Sequence, residues 1–357
     1  MILLGANMMR KQTVSVLITI CISFMIVITN YANEPYWKVK EPYQGKFELK
    51  ELRQIYLLNN DWFYLEKNIR SVQDLNYDNL HWKRIDLPHT WNAFDATDNE
   101  PGYRRDAGWY RRVIFIPETN EPKIYRVYFE GVNISAEIYV NGKKAGSHIG
   151  GYVGFTVDIT PYIRLDDNNE LAIRVDNSIN PNIIPSQKSD FFIFGGITRD
   201  VWLQVLNTTF IDRVHISTPR VTDKVAETVT EISLSNTVNQ KKKYTIEAVV
   251  LNPENKVVSK ISVQKKIETG TEKINVKLPD VKNPKLWSPD QPHLHELKLT
   301  VKDGDKIVDQ ISERFGFRWY EFEEHGPFYL NGERLLLRGT HWHEEYAGFG
   351  NAMPDSL

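Results

Sequence analysis

From Phe47 onward, apolar and polar residues alternate with a period of two, in short runs broken by turn residues. Tyr125, Val127 and Phe129 alternate with Arg126, Tyr128 and Glu130, and Ala136, Ile138 and Val140 with Glu137 and Tyr139. Phe155, Val157 and Ile159, then Leu171, Ile173 and Val175, continue the pattern. Such alternation predicts strands with one buried and one solvated face. Asn141-Gly142 follows one of these runs directly, and that dipeptide accepts the positive φ angles of a two-residue hairpin turn. No amphipathic helical period of ten or more residues appears before position 330. The body is therefore predicted to be mainly β, and many short strands favour a sandwich or jelly roll over a parallel sheet, which needs interleaved helices. This first domain is placed at 45–207.

After Asn207 aromatics thin out and Lys, Thr and Val increase. Tyr244/Ile246/Ala248/Val250, Ile274/Val276/Leu278 and Leu297/Leu299/Val301 alternate again. The stretch 208–318, about 110 residues, has the size of an immunoglobulin-like sandwich and reads as a spacer. Segment 319–357 differs. Phe328-Tyr329-Leu330 and Asn331-Gly332 predict a hairpin, and Leu335-Leu336-Leu337 is apolar on consecutive positions. Burial on both faces is the mark of a strand in a parallel sheet or barrel. Leu335–Gly339 is thus predicted to be the first strand of a (β/α)₈ barrel, with Thr340–Glu345 at the strand end where such barrels carry their chemistry. A complete barrel takes about 250 residues, and fewer than thirty follow Asn331, so a truncated barrel is expected.

At the front, Arg10 and Lys11 precede a 16-residue uncharged run, Val14–Thr29. This predicts a secretory signal over 1–33; the run is short for a spanning helix, which needs about 20 apolar residues. The expectation is an exported protein, periplasmic or at the cell surface, free of the membrane once the signal is removed. Cys21, the one cysteine, falls inside that run, so the mature domains must stand on core burial without disulfides. Forty-four basic against 46 acidic residues give a charge of −2, and no basic block exceeds Lys241-Lys242-Lys243. That balance excludes a nucleic-acid partner, which requires clustered phosphate contacts. A homo-oligomer stays open.

Several motifs together resemble glycoside hydrolase family 2, the β-galactosidases, β-glucuronidases and β-mannosidases, and most closely its bacterial β-galactosidase-like members. They are LPHTWNAFD (87–95), GWYRR (108–112), FEGV (129–132), YVNGKKAGSHIGGYVGF (139–155), the DIT to VDNS stretch (158–178) and SDFFIFGGITRDVWL (189–203). LWSPDQPHLHEL (286–297), ERFGFR (313–318) and FYLNGERLLLRGTHWHEEYAGFGNAM (328–353) follow. The resemblance implies a jelly-roll sugar-binding domain, an immunoglobulin-like domain and a catalytic barrel, in that order. It implies retaining hydrolysis of a terminal β-glycoside, first of all a β-galactoside, by two carboxyl groups about 5–5.5 Å apart. In the family both are Glu residues on later barrel strands, so no catalytic residue is assigned here and the chain by itself is expected to be inactive. A sodium or magnesium ion is expected only in a full-length enzyme.

The resemblance also nominates sugar-binding residues. His343 matches the histidine of the family's RG-V-N-R-H-E motif, and an imidazole can donate to one hydroxyl while its other nitrogen is oriented. In that motif His341 stands where Asn is usual and Trp342 where Arg is usual, which leaves glycone preference open. Asp190 matches a family aspartate that reaches the catalytic pocket from the first domain and accepts sugar hydroxyls, in some members also a sodium ion. Asn92 is a further pocket candidate. Gly195-Gly196 and Arg199-Asp200 read as structural, the latter as a fold-holding ion pair. Trp62, Trp82, Trp91, Trp109 and Tyr152 read mostly as jelly-roll core, and the sequons at Asn133 and Asn207 as chance. Two other readings compete. His341-x-His343 places two imidazoles on one side of an extended segment, as in a metal-dependent barrel hydrolase. A non-catalytic carbohydrate-binding or adhesive protein would use the first domain as binder and the second as stalk.

Overall fold

The computed structural model describes residues 52–75, 81–95, 97–185 and 189–357. The proposed signal segment, Cys21 included, lies outside them. No helix among the described residues is long and apolar enough to cross a membrane.

Residues 53–207 form a two-sheet antiparallel sandwich. One sheet runs in the order Lys83–Ile85, Trp62–Leu65, Ala107–Ile116, Asp167–Asp176, Ser135–Val140, Lys143–Ile149. The other runs Arg53–Leu57, Val201–Asn207, Lys123–Phe129, Phe155–Asp158. The alternating apolar positions meet between them: Val127, Phe129, Ile138, Val140, Ile173 and Val175 are all fully buried, together with Trp62, Tyr110 and Leu203. Asn141 (φ +50°) and Gly142 (φ +75°) make the tight turn between Val140 and Lys143. Both central residues carry the positive φ that matches the twist of the flanking strands.

Residues 209–315 form a second sandwich of three plus four strands. Thr209–Ser217, Val229–Asn236 and Gly270–Lys277 face Val257–Ile267, Lys242–Leu251, His295–Asp303 and Lys306–Phe315. Its core is aliphatic: Ile232, Leu234, Ile246, Val250, Leu297, Leu299 and Val301. At its edge His295 is 1% exposed, packed edge-on to Phe317 at 4.6 Å, and its Nδ1 has no hydrogen-bond partner among the described residues. Burial, helped by the neighbouring His293, pushes its pKa down to about 4 from 6.5. The unfolded chain therefore takes up this proton first as pH falls. The stability held by neutral His295 is whole above about pH 6.5 and drains away between there and pH 4, about 2 kcal/mol of it by pH ~5. His295→Phe fills the same aromatic niche without a polar atom. It should leave the urea midpoint unchanged or raised at pH ~7 and make it distinctly less acid-sensitive at pH ~5; a pH dependence identical to the parent chain would refute this assignment.

Past the second sandwich, Tyr320–Phe322, Phe328–Leu330 and Glu333–Leu335 form a small antiparallel sheet. The hairpin at Asn331-Gly332 is present, with φ +54° and +82°. The predicted barrel strand is not. The strand ends at Leu335, residues 336–345 have no strand partner, and Leu336 and Leu337 are 64% and 61% exposed. A run apolar on consecutive positions is buried only when layers cover both of its faces, and among the described residues nothing covers these leucines.

Candidate functional site

The chemistry-bearing residues gather where loops at one end of the first sandwich meet the segment 343–352. Two buried asparagines hold the loops. Asn92 is 0% exposed; its amide donates to Asp95 Oδ2 (2.7 Å) and to the Arg104 carbonyl (2.9 Å). Its Oδ1 accepts from the Gly195 backbone N–H (2.7 Å) and from the Asn177 amide (3.4 Å). Asn177, also 0% exposed, donates to the Ile193 carbonyl (2.8 Å) and accepts from the Asp106 N–H (2.9 Å). These bonds replace a sheet ladder for backbone that has none, as buried polar groups require. The sequence nominates Asn92 as a pocket residue; in the structure its amide and its oxygen are both bonded inside the protein.

On that support the Phe191–Phe194 stretch divides its side chains. Phe192 stacks on Tyr103 at 4.4 Å, and Ile193 and Phe194 are buried. Phe191 turns the other way and meets the His343 ring edge-on at 5.7 Å. Asp190, one residue earlier, is exposed. Asp190 and His343 thus stand on adjoining segments joined through the Phe191 ring, and His343 lies 3.9 Å from the Glu345 carboxylate.

Arg199 fastens the 343–352 segment. Its guanidinium donates to the Thr198 carbonyl (2.9 Å), the Asn351 carbonyl (2.6 Å) and the Glu344 carboxylate (3.0 Å). The Gly348 N–H donates to the Ala93 carbonyl at 3.2 Å. Gly350 (φ +55°) sits so close to Phe194 that a Cβ there would come within 2.7 Å of the ring. The expected Arg199–Asp200 pair gives way to this longer reach: Arg199 binds Glu344, 145 residues away, while Asp200 accepts from the Asn59 amide. Adjacent residues on an extended backbone point to opposite sides, and local sequence carries no sign of the distant partner.

The remaining candidates separate by exposure. Trp62 and Trp109 are fully buried core, whereas Trp342 is 79% and Tyr152 57% exposed. The Tyr152 hydroxyl lies beside Asn133, and partial burial holds its pKa above the usual phenol value while the Arg199 charge opposes the rise. His341 and His343 are both exposed, and no group of three or more metal-ligating side chains occurs among the described residues. The sequon residue Asn133 is 0% exposed, and Asn207 is bonded to Lys123 (2.6 Å) and to the Val308 carbonyl (2.6 Å).

Comparison with known proteins gives this end of the sandwich a context. Residues 69–207 match the model of the glycosyl hydrolases family 2 sugar binding domain, and 209–318 match a second model of glycosyl hydrolases family 2. A Formosa agariphila protein named "Putative beta-glucuronidase" is 49% identical over 83% of this chain and 35% of its own length. A Thermoanaerobacter pseudethanolicus beta-galactosidase is 34% identical over 85% of this chain and 41% of its own. The solved Bacteroides uniformis beta-glucuronidase 2, covalently bound to cyclophellitol-6-carboxylate aziridine, superposes with a TM-score of 0.80 at 32% identity, covering 85% of this chain and 37% of that one. The chain spans well under half the length of these relatives. Two adjoining family models in the family's order, together with these likenesses, show that the chain belongs to glycoside hydrolase family 2.

Proposed function

We propose that this chain is the front part of an exported retaining β-glycosidase that removes terminal β-linked glycones, with Asp190 and His343 holding the sugar and the catalytic Glu pair supplied by sequence outside these residues. The observation that carries the proposal is the junction of Phe191 and His343, which sets a loop of a family sugar-binding domain against the histidine segment. A carboxylate accepts from two hydroxyls and an imidazole supplies one oriented donor, which suits a polyol. For the glycone, β-glucuronide is favoured by the 49% identical relative; a β-galactoside, the first expectation from sequence, has the support of the 34% identical one.

The test compares this 357-residue chain with a product extended to the length of its relatives, on 4-nitrophenyl β-glucuronide and β-galactoside. The extended product should hydrolyse one of them with retention, and this chain neither. Asp190→Ala or His343→Ala in the extended product should lower kcat/KM about 10–100-fold, the loss of one hydrogen bond to a charged or strongly polar group. Turnover by the 357-residue chain above a blank, inversion, or activity that requires stoichiometric zinc would each overturn the reading. Specific binding without any turnover by the extended product would favour the adhesive alternative.

A further inference from the structure

Away from the His343 rim, a cleft of about 670 Å³ opens between the second sandwich and the small sheet that follows it. Its chemistry is one-sided. Arg314 and Arg318 line it with Trp287, Trp319 and Tyr320, and no Asp or Glu is among its lining residues. The Arg318 guanidinium lies 4.7 Å over the Trp287 ring, is exposed, and pairs with no carboxylate among the described residues. Neither the Trp287 nor the Trp319 indole N–H donates to a protein acceptor among the described residues.

The walls are held from behind. Asn331, in its left-handed turn, donates its side-chain amide to the Trp287 carbonyl (3.0 Å), accepts from the Trp319 N–H (3.2 Å) and donates its own N–H to the Trp319 carbonyl (2.9 Å). One side chain thereby fixes the backbone of both tryptophans. Gly316 lets Trp287 lie flat against the neighbouring strand, since a Cβ there would come within 2.7 Å of the Trp287 Cβ. Tyr320, 60% exposed, adds a third ring at the mouth.

We propose that this cleft binds an acidic carbohydrate at a site separate from the His343 rim. Aromatic rings offer flat surfaces to the apolar C–H face of a pyranose, and free indole N–H groups donate to its hydroxyls. A guanidinium held on an aromatic face keeps its charge and its fork of donors for a carboxylate or a sulfate ester. The volume lies within the range of small-molecule sites, and the absence of lining carboxylates favours an anionic ring over a neutral one. The site does not depend on the catalytic reading: it can be present whether or not the longer product hydrolyses glycosides.

The experiment is calorimetric titration of this chain with a β-1,4-linked tri-glucuronate, its carboxyl-reduced neutral counterpart and a sulfated neutral trisaccharide. Saturable binding of one or both anionic sugars is expected, with the neutral counterpart about 10-fold weaker or worse. Binding of the uronate alone identifies a carboxylate as the ligand group, and of the sulfated sugar alone a sulfate ester. Arg318→Gln should weaken anionic binding about 10-fold or more while Arg318→Lys retains part of it, because an ammonium keeps the charge without the fork. Tyr320→Ala, at an exposed position that does not hold the backbone, should weaken anionic and neutral sugars alike and serves if the Arg318 variants do not fold. Asp190→Ala and His343→Ala should leave the Arg318-dependent share of this binding unchanged, which tells the cleft apart from any sugar held at the rim. No saturable binding at millimolar sugar, equal affinity for the reduced counterpart, or loss in Asp190→Ala with none in Arg318→Gln would overturn the proposal.

Discussion

Asp309→Ala should cost about 3–5 kcal/mol, the range for removing one partner of a buried ion pair, and lower the melting temperature by roughly 10 °C. Asp309 is 1% exposed on the last long strand of the second sandwich. Its carboxylate accepts from Arg53 Nη2 at 2.7 Å and Nε at 3.3 Å, and from the Ile211 N–H at 2.7 Å. Arg53, on the first described strand, also donates to the Ile211 carbonyl at 2.6 Å. One carboxylate thus ties the first strand of one sandwich to the opening strand of the next. Alanine leaves the Arg53 charge, only 20% exposed at its side chain, without a counter-ion, and the Ile211 N–H without an acceptor. Urea denaturation of the single variants and of Arg53→Met/Asp309→Leu forms the measurement. The double variant should recover most of the loss, because two apolar groups leave no charge buried. A single-variant cost below 1 kcal/mol would mean that the two sandwiches are held by other contacts.

Gly196→Ala should be at least as damaging, with little soluble protein or a loss of about 4 kcal/mol or more, through strain at a special φ combined with overpacking. Gly196 has φ +142°, and a Cβ there would lie 2.3 Å from the His89 carbonyl oxygen, 2.8 Å from the Tyr110 hydroxyl and 3.0 Å from the Thr90 Cα. Two of those three atoms are backbone in a paired strand, so they cannot turn aside as a flexible side chain would. Gly142→Ala is the control: its φ is also positive, but open space surrounds it, so only the conformational cost of about 1 kcal/mol applies. Soluble yield and melting temperature of the two variants decide the matter. Similar values for both would show that the strip carrying Asp190 and Phe191 is not clamped by the His89–Thr90 strand.

The placement of Phe191 against His343 rests on that clamp. Gly195 and Gly196 read in the sequence as turn residues, and the contacts give the reason: at Gly195 a Cβ would come within 2.0 Å of the Trp91 ring and 2.7 Å of Asn177 Cγ. Backbone packed this close leaves no room for a side chain at either glycine. Phe192 and Phe194 go inward and Phe191 toward His343.

What the sequence determined by itself follows from local rules. The period of two sets which face of each strand is buried, and Val127, Ile138, Ile173, Ile246 and Leu299 lie in the cores where that period puts them. Asn-Gly turns are written in the residues that tolerate positive φ, at Asn141-Gly142 and Asn331-Gly332 alike. The ordered motifs carried the family. Tertiary structure decided whatever depends on partners far apart in the chain: Arg199 reaching Glu344 instead of Asp200, the Asn92 side chain bonded to Gly195 and Asn177, Asp309 joined to Arg53, and a small antiparallel sheet that ends at Leu335, with Leu336 and Leu337 exposed, where the sequence predicts a barrel strand. Periodicity reports how a residue relates to its own strand. It cannot report which distant group neutralises a charge or which layer covers a face, because those are settled only when non-adjacent segments compete for the same space.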